Sequence, residues 1–187
     1  MNWTTSKALA GARVAAVVTL TGVLLTAAGG GTALASGSRE GLEGAWTVQV
    51  TLRDCVTNAA LGAPFNSLVS FHDGGTLSES AGSLAFAAGQ RSPGHGTWTR
   101  EGRHTFLQRM IALIVFDTPA NLPGTPGFNP NLPVTPGFLA GWQTVTHTLR
   151  LGGNGDHATS AGTNEFYKAD GTLYRTGCST ATAQRFE

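Results

Sequence analysis

Charge is scarce in this chain. Only 12% of its 187 residues are Asp, Glu, Lys or Arg, and lysine occurs only as Lys7 and Lys168. No basic cluster exists, so there is no footprint for neutralising phosphates and nucleic acid is excluded as a partner. An anionic membrane contact through a polybasic segment fails for the same reason. Cysteine is limited to Cys55 and Cys178, and a structural zinc site wants four ligands at close spacing. The histidines His72, His95, His104, His147 and His157 are scattered, with no His-x-His or His-Glu-x-x-His spacing. Ser92, Ser160 and Ser179 lack a Gly-x-Ser-x-Gly elbow, and no glycine-rich phosphate loop leads into a helix. No metal, cofactor or assembled catalytic motif is therefore expected.

What is present first is an address. Lys7 and Arg13 precede an uncharged apolar run, Val14 to Ala28, and the glycines Gly29 to Gly31 lead to Ala33-Leu34-Ala35. This is the layout of a secretory signal peptide over residues 1–35, with cleavage before Ser36. The run is short for a membrane span of ~20 residues. A twin arginine is missing near the start, and no cysteine stands at the cleavage site to take a lipid. A secreted or periplasmic protein is expected, with no membrane association after cleavage. Residues 36–187 then form one domain, long enough for a hydrophobic core and close to electroneutral once Lys7 and Arg13 are removed.

Beyond residue 35 no segment shows sustained helical periodicity, whereas period-two runs bounded by turn signals recur. Trp46, Val48, Val50 and Leu52 alternate with Thr47, Gln49, Thr51 and Arg53. Asn66 to Phe71 and Thr76 to Ser80 flank Asp73-Gly74-Gly75, a hairpin signal. Gly96 to Arg100 and His104 to Phe116 are joined by Glu101-Gly102-Arg103. The second of these is apolar on both faces after Met110, so it is expected to be buried on both sides or covered by a loop. Trp142 to Leu151, His157 to Tyr167 and Leu173 to Phe186 complete the set, with turns at Gly152 to Gly155 and Asp170-Gly171.

These runs make an all-β chain of about eight consecutive, mostly hairpin-linked strands. An antiparallel up-and-down barrel buries the inner face and removes exposed edges; a two-sheet sandwich is the competing arrangement. In a barrel the first and last strands are neighbours. In an oxidising compartment Cys55 and Cys178 are expected to form one disulfide across that seam; reduced, they would be two buried thiols.

Two segments do not read as strand. Ser83 to His95 is small and flexible in composition, and His95 between two glycines reads as a turn residue. Within 118–141, Asn121-Leu122-Pro123-Gly124-Thr125-Pro126-Gly127-Phe128 recurs as Asn131-Leu132-Pro133-Val134-Thr135-Pro136-Gly137-Phe138. Its prolines block ladder hydrogen bonds. This is a long exposed loop lengthened by duplication. It is either a tolerated insertion or a lid or partner-binding arm with Phe128 and Phe138 as contact points.

Gly44-Ala45-Trp46 opens the first strand and Arg185 lies near the end of the last. This resembles the lipocalin (calycin) pattern, in which the tryptophan of Gly-x-Trp packs under the barrel against an arginine from a late strand. The chain from residue 36 on also resembles small exported bacterial barrel proteins of unknown activity. Lipocalin likeness implies a cup for an apolar small molecule and carries over no catalytic residue. The chain departs from typical lipocalins in having no clear helix after the last strand. That leaves barrels like those of allene oxide cyclases and dirigent proteins open.

The period-two phase places His147 and Gln143 with Val145 and Leu149, so both are expected to face a cavity. Glu165, the one acid inside a strand pattern rather than a turn, is considered with Arg109 as a charged pair inside the barrel; an outward Glu165 in water is the simpler alternative. Gln143, His147, Arg109 and Glu165 are thus the candidate ligand-binding residues. The leading expectation is a binding module rather than an enzyme. The alternatives are a cyclase- or isomerase-type barrel using His147, Gln143 and Glu165, and an interaction protein presenting loop 118–141.

Overall fold

A computed structural model of the protein describes residues 41–132 and 134–186. The expected signal peptide, residues 1–35, lies outside the described residues. The alternating run that begins at Trp46 becomes β1, Gly44–Arg53, and seven more strands follow. They are β2, Phe65–Phe71; β3, Thr76–Ala81; β4, Gly94–Arg100; β5, Thr105–Ile114; β6, Gly141–Leu151; β7, His157–Lys168; and β8, Leu173–Arg185. Each pairs antiparallel with the next, and β8 returns to β1 to close a barrel. Closure gives each of these eight strands two partners, so none of them presents an open edge to another chain. It also sets aside the two-sheet alternative.

The closing seam is held at both ends. At one end Trp46 lies opposite Arg185 in the β1–β8 register; at the other, Arg53 lies opposite Cys178. Two residues beyond Arg53, Cys55 is bonded to Cys178, with Cα atoms 5.2 Å apart across a sequence separation of 123. The β2–β3 hairpin turns at Gly74 and Gly75 with φ of 87° and 85°. An L side chain reaches that left-handed region only at a cost, which is why glycines stand there.

Period two sorts the side chains. One apolar cluster fills the end where β1 begins: Trp46, Phe71, Trp98 and Phe106, with Leu42, Leu149 and Leu151 packed among them. The aromatic rings meet edge-on, Phe71 to Trp98 at 6.2 Å and Trp98 to Phe106 at 5.7 Å, the geometry their quadrupoles favour. Arg185 closes this end. Its guanidinium lies 4.4 Å from the Trp46 ring centroid. It donates to the carbonyls of Gly41, Glu43 and Gly155, while the Trp46 indole N–H donates to Leu42 O.

A second apolar cluster, Ile114, Phe138 and Phe166 with Phe86 and Tyr174, sits at the opposite end. It includes a residue of the duplicated segment, so loop 118–141 is not merely an exposed insertion. Thr118 bridges to Phe138 and Asn121 to Thr135, which folds the loop back as an irregular hairpin. Asn121 is buried and ties the tip together through Asn129 and the carbonyl of Leu132. Phe138, 5% exposed, enters the barrel mouth, whereas Phe128 stays half-buried at the loop's own surface.

Two expectations change. The run after Met110 is neither buried on both sides nor covered. Ala112 and Ile114 face inward, while Ile111 and Leu113 are 45% and 56% exposed on the outer wall. Leu113 lies opposite Trp142, which stacks on Tyr167 at 5.5 Å, so the outer face carries cross-strand apolar contacts of its own. His95 is an exposed strand residue rather than a turn residue, because β4 starts at Gly94, two positions before the expected Gly96, and pairs His95 with Ile111 and Ser78.

Candidate functional site

Between the two apolar clusters lies a cavity of about 80 Å³, lined by residues of nearly every strand. At roughly 10–15 Å³ of such space per water it offers roughly five to eight water-sized positions. That is well below the ~300–1,000 Å³ of a drug-sized pocket. Val48, Val50, Val69, Val145, Leu149 and Met110 supply its apolar wall. Phe86, from the β3–β4 connection, reaches it from the mouth side.

Most of its polar side chains form two clusters. The first is an ion pair: Arg91 Nη1 to Glu79 Oε2 at 2.9 Å, with side chains 7% and 5% exposed. Glu79 faces inward because β3 alternates Leu77, Glu79 and Ala81 on that side. Arg91 comes from the end of the β3–β4 connection, where a bridge to Ile114 fixes its backbone. Buried charges persist only when paired and hydrogen-bonded. Here Ser67 Oγ donates to Glu79 Oε1 at 3.0 Å, and Arg91 Nε donates to Gln143 Oε1 at 2.7 Å. Position 94 must be small to admit the pair, since a Cβ on Gly94 would come within 2.8 Å of Glu79 Oε2.

The second cluster surrounds His147, which is 4% exposed. Its Nδ1 lies 3.0 Å from Ser160 Oγ and its Nε2 lies 2.8 Å from Ser179 Oγ. Asn164 Nδ2 donates to Ser179 Oγ at 2.8 Å. A neutral imidazole has one donor and one acceptor nitrogen, and two hydroxyls satisfy both. Burial disfavours the imidazolium and lowers the pKa of His147 from 6.5 to about 4. Space for the ring comes from the neighbouring strand, where Gly162 lies opposite; a Cβ there would approach His147 Cδ2 to 2.6 Å.

This geometry suits hydrogen bonding better than proton transfer. A general base works best with a pKa near the operating pH, and the lowered value makes His147 a weak base at neutrality. The group on Nδ1 is a hydroxyl, not the carboxylate that would stabilise an imidazolium in a nucleophilic triad. Among the described residues no three His, Cys, Asp or Glu side chains are grouped to hold a metal ion.

Of the four residues singled out from sequence, Gln143 and His147 line the cavity and Arg109 and Glu165 do not. Arg109 is exposed on β5, out of phase with the inward Gln108 and Met110. Glu165 is half-buried on the outer wall, where it accepts from Tyr167 Oη at 2.7 Å and Thr144 Oγ1 at 3.3 Å. That contact raises the Tyr167 pKa. The interior charged pair is therefore Glu79 with Arg91, not Glu165 with Arg109. Sequence reasoning missed Glu79, Arg91 and Gln108. Glu79 could have been found from the phase of Leu77; Arg91 sits in a non-repeating connection and left no periodic signal.

Compared with models of known protein families, with curated proteins and with solved structures, the chain matches none.

Proposed function

We propose that this protein is an exported barrel that binds a small, predominantly apolar molecule in its interior. The cavity between the two apolar clusters carries this reading: aliphatic side chains from β1, β2, β5 and β6 wall it, and Phe86 and Phe138 stand over its mouth. Export to an oxidising compartment is supported by the signal-peptide pattern over 1–35 and by the Cys55–Cys178 bond. A lipocalin-like relationship is supported by the closed eight-stranded barrel and by the Trp46–Arg185 plug. The cavity's size favours a compact ligand over a long acyl chain. Binding is preferred to catalysis because the buried imidazole is held neutral between hydroxyls.

Toluene, observed by saturation-transfer NMR, tests the reading. Saturable binding to the protein is expected, together with its loss in Val145→Phe, whose ring would occupy the space beside a 5%-exposed cavity residue. Circular dichroism of the variant checks that the barrel persists. Absent binding in the unmodified protein, or equal binding by a folded Val145→Phe, would overturn it.

A further inference from the structure

The geometry points to a ligand class: a small neutral molecule carrying one hydrogen-bonding group, such as an alcohol or a carbonyl, held at Gln108. This rests on the cavity being a ligand site and narrows what that site accepts. Gln108 is 7% exposed, lines the cavity, and lies opposite His147 in the β5–β6 register. Yet its side-chain amide has no hydrogen-bond partner among the described residues, while every other polar side chain of the two clusters is engaged. The amide is not sealed in the wall but opens onto the cavity, so it presents an unengaged donor and acceptor to whatever the cavity takes up. With an N–H donor and a carbonyl acceptor it complements either a hydroxyl or a carbonyl oxygen.

Charge sets the second half of the selection. The titratable groups lining the cavity are Glu79, Arg91 and His147. The first two neutralise one another at 2.9 Å, and burial keeps the imidazole uncharged at neutral pH. An entering carboxylate would lose its hydration and meet a guanidinium already committed to Glu79 and Gln143. An ammonium would meet a carboxylate already committed to Arg91 and Ser67. A neutral guest is spared that penalty. Its apolar body fits against Val145, Leu149 and Met110.

The experiment compares toluene, benzyl alcohol and benzoate, which share a ring and differ in one group, by NMR titration at pH 7. Benzyl alcohol is expected to bind about tenfold or more tighter than benzoate, a ratio equivalent to ~1.4 kcal/mol. In Gln108→Met, which keeps the length and removes the amide, the preference for benzyl alcohol over toluene should fall about tenfold while the fold is retained. Glu79→Gln preserves the acceptor for Arg91 and removes the compensating charge, so benzoate should gain on benzyl alcohol. If that variant does not fold, the series on the unmodified protein decides alone. Benzoate binding as tightly as benzyl alcohol, or an unchanged alcohol-to-toluene ratio in Gln108→Met, overturns the inference and leaves the cavity reading intact. No binding by any of the three overturns both.

Discussion

Phe138 stacks on Phe86, with ring centroids 4.4 Å apart and planes inclined by 30°. The two rings come from different connections, the duplicated loop and the β3–β4 segment, and meet over the barrel mouth. Arg175 reinforces the contact. Its guanidinium lies 5.0 Å from the Phe138 centroid and donates to the carbonyls of Gly137 and Pro136. Thr135 Oγ1 adds a hydrogen bond to Ala85 O at 2.9 Å. One copy of the repeat thus packs into the barrel while the other extends the loop.

That asymmetry gives a first prediction. Phe138→Ala should lower stability by up to about 3 kcal/mol, the low end for truncating a buried phenylalanine. Phe128→Ala, at a half-buried position outside both apolar clusters, should cost less than about 1 kcal/mol. Urea denaturation of both variants measures the difference. Equal losses would show that the two copies pack alike.

His147 makes stability depend on pH in a defined window. Its folded pKa, about 4, lies below the ordinary 6.5, so the unfolded chain takes up a proton before the folded one does. The sign follows: stability is full above pH 6.5 and falls as pH drops towards 4. A shift of this size corresponds to about 3 kcal/mol. Asp54 and Asp170, whose pKa values are lowered by backbone N–H donors, lose their contributions only below the ordinary carboxylate range. Denaturant midpoints measured from pH 7 to 4 should therefore fall, and the same series on His147→Gln should be nearly flat. A parallel fall in the variant would place the responsible group elsewhere.

The seam disulfide closes most of the chain into one loop. For a separation of 123 residues the chain-entropy account gives ~4–5 kcal/mol. Cys55→Ser/Cys178→Ser should lose up to that amount yet keep its far-UV spectrum, because the β1–β8 ladder runs from Trp46 to Arg53 without the bond. A variant with no sheet signal would mean that the bond, rather than the ladder, closes the barrel.

At the plugged end, Arg185→Lys tests planarity against charge. A lysine keeps the charge but cannot stack on Trp46 while serving the carbonyls of Gly41, Glu43 and Gly155 together. A loss of about 2–4 kcal/mol is expected from the cation–π contact and the carbonyls left without a donor. Thermal unfolding followed by tryptophan fluorescence reads it. A loss within experimental scatter would reduce Arg185 to a generic surface cation.

Much of the barrel was legible before folding was considered. Residues with unambiguous alternation, such as Val145, His147 and Leu149 against Thr144, Thr146 and Thr148, can occupy only one phase when one face is buried. Gln143, His147 and Trp46 accordingly point where their spacing places them. Phase was ambiguous on β5, where Met110 and Ile111 are both apolar and neighbouring Arg109 has no clear side. It was ambiguous again at Glu165, whose companions Thr163 and Tyr167 suit either face. Loop chemistry was harder still, since Phe128 and Phe138 occupy equivalent places in the repeat.

The sequence by itself determined the β class, the number of strands, the cysteine pair and the inward set of the cleanly alternating strands, because these follow from local periodicity and composition. Only the tertiary structure decided that Glu79 meets Arg91, that Phe138 rather than Phe128 enters the mouth, and that Gln108 faces the cavity with its amide unengaged. The physical reason is common to all three. Each depends on strand register and loop direction, which are set by contacts between residues far apart in the chain and leave no repeating trace along it.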